Sequence, residues 1–140
     1  MAAILIVEDD KNQRLLLQEE LELDGYVVLA AANARDALDA CSRAMPDLVV
    51  LDIGMPCMDG LELLGKLLGV NNRLPVVIYT AYSSYQDNFM SWAADAYLVK
   101  QSDLSELKRA IRNVLCTRQI PLPRVPPPSS HTEHTAQLGN

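Results

Sequence analysis

Cysteine is scarce in this chain, with only Cys41, Cys57 and Cys116 among 140 residues. The three lie far apart, include no CxxC pair and are odd in number, which argues against both a disulfide framework and a zinc site. Long apolar runs are also missing. None approaches the roughly 18 residues that a membrane-spanning helix needs, so no membrane protein is expected. The opening MAAILIVEDD has no basic stretch ahead of its short apolar run and carries three acids behind it. That is unlike a secretory signal, and the expected compartment is the cytoplasm. Positive charge is the third shortage: 12 Lys and Arg stand against 18 Asp and Glu, for a net charge of −6. Direct nucleic-acid binding, which leaves a basic footprint, is therefore not expected. Residues 1–118 contain 17 of the acids and 11 of the bases, so they carry the whole imbalance.

What is present fits one globular domain, with 49% hydrophobic and 21% charged residues in a length that suits a single core. From Gln119 the chain turns to IPLPRVPPPSSHTEHTAQLGN, with five prolines between Pro121 and Pro128 and no apolar periodicity. The expected division is a folded unit over residues 1–118 and a disordered tail or linker over 119–140, too short and proline-rich to fold as an effector. Upstream, β-rich runs alternate with helical patterns. Strands are expected at ILIV (4–7), VVLAA (27–31), LVVL (48–51), VVIYT (76–80) and AYLVK (96–100). Helices are expected from Lys11 to Asp24 before Gly25, from an Asn33 cap, from Leu61 to Leu68 stopping at Gly69, over 83–93, and after a D-x-x-E start at Asp103 and Glu106. Five strand–helix repeats with near-continuous apolar strands indicate an α/β fold, a doubly wound parallel sheet with helices on both faces.

In such a sheet ligands bind beyond the carboxyl ends of the strands. The first strand ends in Glu8, Asp9 and Asp10, the third in Asp52, the fourth in Thr80 and the fifth in Lys100. Converging carboxylates repel one another unless a cation offsets them, so a divalent metal is implied. Oxygen ligands without His or Cys favour Mg²⁺, with Mn²⁺ as the alternative. A lysine beside a hard metal makes a cradle for phosphoryl oxygens, and a carboxylate there can attack phosphorus. Each residue also has a plainer reading. Asp10 can serve only the dipole of the following helix, and Asp59-Gly60 is ordinary turn chemistry before a helix. Thr80 alone is a β-branched strand residue and Lys100 alone a solvated strand end. Asp52 is harder to dismiss, because a buried apolar strand has no hydrophobic reason to end in a charge.

Four motifs in order, VEDD (7–10), LDIGMPCMDG (51–60), VVIYTA (76–81) and AYLVK (96–100), make residues 3–117 resemble the receiver domain of two-component response regulators. The resemblance implies a single flavodoxin-like domain with strand order 2-1-3-4-5 and a phosphorylation-dependent switch. By position it makes Asp52 the phosphoacceptor and Glu8 and Asp9 the acidic pair holding Mg²⁺, with the backbone carbonyl of Gly54 as a further ligand. Thr80 matches the switch hydroxyl, Tyr97 the switch aromatic and Lys100 the phosphate-pairing lysine; Tyr97 also reads simply as a half-buried strand aromatic. The implied partners are a sensor histidine kinase or phosphotransfer protein and an output protein or effector domain, and homodimerisation is common in the family. Such a chain is a signalling phosphoacceptor rather than an enzyme. In this family the lysine is usually followed by a proline through a cis bond, but Gln101 stands here. A non-proline cis bond costs roughly 2.5–4 kcal/mol, so a trans bond or a locally strained loop is expected.

Two enzyme or cofactor readings compete. Haloacid-dehalogenase-like phosphatases also form an aspartyl phosphate, but they place a second acid two residues on, where Gly54 stands here. A flavin-binding module would want a hydroxyl- or glycine-rich phosphate loop after the first strand, where Glu8, Asp9 and Asp10 would repel the phosphate. A receiver fold that binds partners without phosphorylation is disfavoured by the intact set of acids, Thr80 and Lys100.

Overall fold

A computed structural model describes residues 2–53, 60–81, 94–101 and 103–118. The turn over 54–59, the helix expected over 83–93 and the tail from Gln119 lie outside the described residues. The elements are β1 (Ala3–Val7), α1 (Lys11–Leu23), β2 (Val27–Ala31), α2 (Ala34–Arg43), β3 (Leu48–Leu51), α3 (Gly60–Val70), β4 (Val76–Thr80), β5 (Ala96–Val99) and α4 (Ser105–Thr117). The five strands form one sheet in the order β2-β1-β3-β4-β5, every neighbour parallel.

Burial follows strand position. The inner strands β3 and β4 are buried at every residue, which is why they read as unbroken apolar runs. The edge strands β2 and β5 keep exposed or half-buried positions. The twofold alternation of strand side chains splits the core into two layers. Ile4, Ile6, Val50, Val77 and Tyr79 pack with Leu17 and Leu21 of α1 and Leu107, Ile111 and Leu115 of α4. Leu5, Val7, Val49, Leu51 and Ile78 pack with Ala37 and Cys41 of α2 and Leu63, Leu64 and Leu67 of α3. Helices thus cover both faces, as the strand patterns predict. Cys41 is buried and Cys116 exposed, both as free thiols. No helix among the described residues is long and apolar enough to cross a membrane.

Most helix boundaries follow their sequence signals. Asp10 caps α1 by accepting the Gln13 N–H at 3.1 Å. Gly25 ends it at φ 95°, a backbone conformation that glycine adopts without a Cβ penalty. Asn33 caps α2, accepting the Asp36 N–H at 2.8 Å. Two expectations need correction. The third helix does not stop at Gly69; α3 runs to Val70, and the Asn71 N–H still reaches the Leu67 carbonyl at 3.0 Å. The turn follows instead at Asn71, whose side chain accepts the Arg73 N–H. Nor does Asp103 form a capping box with Glu106. Its Oδ1 accepts the Ser105 N–H at 2.9 Å and the Ser105 hydroxyl at 2.7 Å, so the local turn wins and α4 starts at Ser105.

Candidate functional site

The polar residues of interest stand one step beyond the strands, where the ladder still holds their backbones. The Glu8 N–H donates to the Ala31 carbonyl at 3.0 Å, the Asp52 N–H to Val7 at 3.1 Å and the Lys100 N–H to Thr80 at 2.7 Å. Register does the rest. Val7 pairs with Leu51, Leu51 with Ile78, and Thr80 with Val99, so Glu8, Asp52, Thr80 and Lys100 arrive at one edge of the sheet.

Oxygens of Glu8, Asp9 and Asp52 lie within 4.8 Å of one another. Glu8 and Asp52 are buried, at 2% and 8% exposure, and Thr80 is fully buried. The Lys100 ammonium sits between the acids, donating to Glu8 Oε1 at 2.6 Å and Asp52 Oδ2 at 2.9 Å. Burial raises the Glu8 carboxyl above the usual carboxylate range, although hydrogen bonds from Lys100 and from the Asp10 N–H oppose it. Burial alone would depress the Lys100 ammonium, but its hydrogen bonds to Glu8 and Asp52 outweigh that and leave it above the ordinary lysine value. The donor set consists of carboxylate oxygens without His or Cys, which suits a hard divalent ion such as Mg²⁺.

Of the residues singled out in the sequence, Glu8 and Asp52 meet Lys100 directly, Asp9 lies with the two acids within 4.8 Å, and Thr80 ends the strand beside them. Asp10 does not join the cluster, because its carboxylate is committed to capping α1. Tyr97 pairs with Ile78 in the sheet and is a partly buried aromatic packed on the α2–α3 side of the core. Gly54 lies outside the described residues. The described backbone contains no cis peptide bond, so Lys100–Gln101 is trans, the first of the two outcomes expected there. The Tyr79 hydroxyl donates to the Gln101 carbonyl at 3.1 Å and so fixes the segment where a proline would otherwise stiffen the chain.

Three residues at the site have no strand-end signal. Tyr79 is one. Arg14 donates from Nη1 to the carbonyl of Glu8 at 2.8 Å and to that of Asp9 at 3.4 Å, holding the acidic loop against α1. Gln13 accepts from the Lys100 ammonium at 2.6 Å through Oε1. The signal for the last two was helix geometry: once Asp10 is the cap, residues 13 and 14 turn back toward the loop that precedes the helix.

The same fold occurs in known proteins. A family model for the response regulator receiver domain matches residues 4–112. The chain is 35% identical to the sporulation initiation phosphotransferase F of Bacillus subtilis over 114 residues, covering 80% of this chain and 92% of that protein. It is 39% identical to the response regulator MprA of Mycolicibacterium vanbaalenii over 114 residues, again 80% of this chain but 49% of the relative, so it spans about half that protein's length. Among solved structures, the response regulator TrrA of Thermotoga maritima in complex with Mg²⁺ and BeF superposes with a TM-score of 0.78 at 41% identity, over 82% of this chain and 100% of that one. TrrA also superposes as found in complex with the histidine kinase ThkA, with a TM-score of 0.76 over 82% of this chain and 99% of that one.

Proposed function

The chain belongs to the response regulator receiver domain family, and from that premise we propose that it is a signalling switch whose phosphoacceptor is Asp52. The observation that carries this reading is the buried Asp52 carboxylate at the carboxyl edge of the sheet, 2.9 Å from the Lys100 ammonium and clustered with Glu8 and Asp9.

A carboxylate oxygen of Asp52 attacks the phosphorus of a phosphohistidine on a sensor kinase or phosphotransfer protein. The P–O bond forms as the P–N bond breaks, and the electron pair leaves with the imidazole nitrogen. Lys100 pairs with the incoming phosphoryl oxygens, and the Thr80 hydroxyl hydrogen-bonds one of them. Glu8, Asp9 and Asp52, together with the Gly54 carbonyl, would hold Mg²⁺ or, less selectively, Mn²⁺. Such an ion supplies charge neutralisation to the phosphoryl oxygens. Tyr97 follows Thr80 in the switch, and the resulting shift of a pre-existing equilibrium alters the surface presented to an output partner or effector domain. Residues 1–118 form the receiver unit and 119–140 a linker or tail, in the cytoplasm. The role is that of a switch, with any turnover limited to self-phosphorylation from small donors and autodephosphorylation.

Incubation with acetyl phosphate and Mg²⁺ should give an acid-stable, hydroxylamine-labile adduct on Asp52 by peptide mass spectrometry, absent in Asp52→Asn. No adduct in the wild type, together with no response to beryllofluoride, would overturn the assignment.

A further inference from the structure

Resting on the reading of Asp52 as phosphoacceptor, we infer that Gln13 is a positioning residue that keeps the Lys100 ammonium over the site when the carboxylates are otherwise engaged. An ammonium has three N–H donors and no acceptor. Those of Lys100 go to Glu8 Oε1 at 2.6 Å, Asp52 Oδ2 at 2.9 Å and Gln13 Oε1 at 2.6 Å. Two of these acceptors belong to the acidic cluster, so a bound divalent ion draws on the same carboxylates and a phosphoryl group changes Asp52 itself. Gln13 is neutral, lies outside the cluster and is altered by neither event. It is the acceptor of the three that persists through the whole cycle.

The lysine stem is long and flexible, so an ammonium released to solvent must be ordered again each time an anion is captured. Gln13 shortens that step, because its backbone is anchored beside the site. Its backbone N–H donates to Asp10 Oδ1 at 3.1 Å, and the next residue, Arg14, holds the carbonyls of Glu8 and Asp9. The first turn of α1, the acidic loop and the lysine are therefore linked by hydrogen bonds, although Gln13 is exposed.

The test compares the full chain with Gln13→Leu, which keeps the side chain's bulk and removes the acceptor. In the presence of Mg²⁺, beryllofluoride affinity should fall about three- to tenfold, the scale of one ordinary net hydrogen bond, since the contact is exposed to solvent. Adduct formation from acetyl phosphate should slow by a similar factor. Competitive acylation of lysines, read by mass spectrometry with Mg²⁺ present, should show Lys100 becoming several-fold more reactive while Lys66 and Lys108 are unchanged. Unaltered beryllofluoride affinity overturns the inference. So does a loss of affinity with unaltered Lys100 reactivity, which would make Gln13 merely structural. If the wild type itself shows neither beryllofluoride response nor adduct, the phosphoacceptor reading fails first and the role of Gln13 falls with it.

Discussion

Replacing Lys100 by Met should destabilise the metal-free protein far more than the magnesium-loaded one. The ammonium sits 2.6 Å from Glu8 and 2.9 Å from Asp52. At an effective dielectric of about 20 each contact has a gross Coulomb energy of roughly 6 kcal/mol, opposed by the several kcal/mol needed to desolvate each ion. The net cost of removing one partner from such a buried group is about 3–5 kcal/mol, because the remaining charges are left uncompensated. Lys100 retains 16% side-chain exposure, so the lower end, about 3 kcal/mol, is expected. For a domain of this size that corresponds to a fall in Tm of roughly 12 °C. A divalent ion held by Glu8, Asp9 and Asp52 would offset the same charges, so with millimolar Mg²⁺ the deficit should shrink to below about 1 kcal/mol. Thermal unfolding followed by far-UV circular dichroism, in EDTA and in Mg²⁺, measures both. Equal losses in the two conditions, or no loss in EDTA, would refute the argument that Lys100 and the metal neutralise one acidic cluster.

Asp10→Ala should cost about 1 kcal/mol in chemical denaturation through loss of the α1 cap, yet leave Mg²⁺ affinity by calorimetry unchanged; a large drop in affinity would return Asp10 to the metal site. Leu67→Ala, at a fully buried position between α3 and the sheet, should cost about 3–5 kcal/mol by urea titration, and a value below about 1 kcal/mol would mean that α3 is not seated as described. Lys108 links α4 to α1 through Glu20 at 2.9 Å and Asp24 at 3.6 Å. Burial by itself would lower its pKa, but the hydrogen bond to Glu20 and the charge of Asp24 raise it overall. A raised folded-state value means that the contribution is complete below the ordinary lysine pKa and is lost as pH rises through the folded value. Lys108→Met should therefore be about 0.5–1 kcal/mol less stable than wild type at neutral pH, with the gap closing above about pH 10.5; a gap that persists there would assign the effect to packing.

Much of the fold was legible because its signals are local or periodic. LVVL and VVIYT could read as buried strands because both faces of β3 and β4 are covered, and the caps at Asp10 and Asn33 act within three residues. Gly69 misled because a glycine late in a helix signals an end only if the backbone turns left-handed there, and Gly25 is the described glycine that does. Asp103 misled because an aspartate can satisfy an N–H two residues ahead as readily as three, and the choice depends on how the preceding loop enters α4.

The site divides in the same way. Apolar runs ending in polar residues are visible in one dimension and a parallel sheet aligns their ends, so the amino-acid order already puts Glu8, Asp9, Asp52 and Lys100 just past strands and Thr80 at the end of one. What a side chain touches on another element came only with packing. Gln13 and Lys100, 87 residues apart, meet at 2.6 Å, and Glu8 and Lys100, 92 residues apart, meet at 2.6 Å as well. The reason is that strand register fixes where a backbone arrives, to within a residue, whereas hydrogen-bond partners are chosen among groups from different elements that only packing brings within reach.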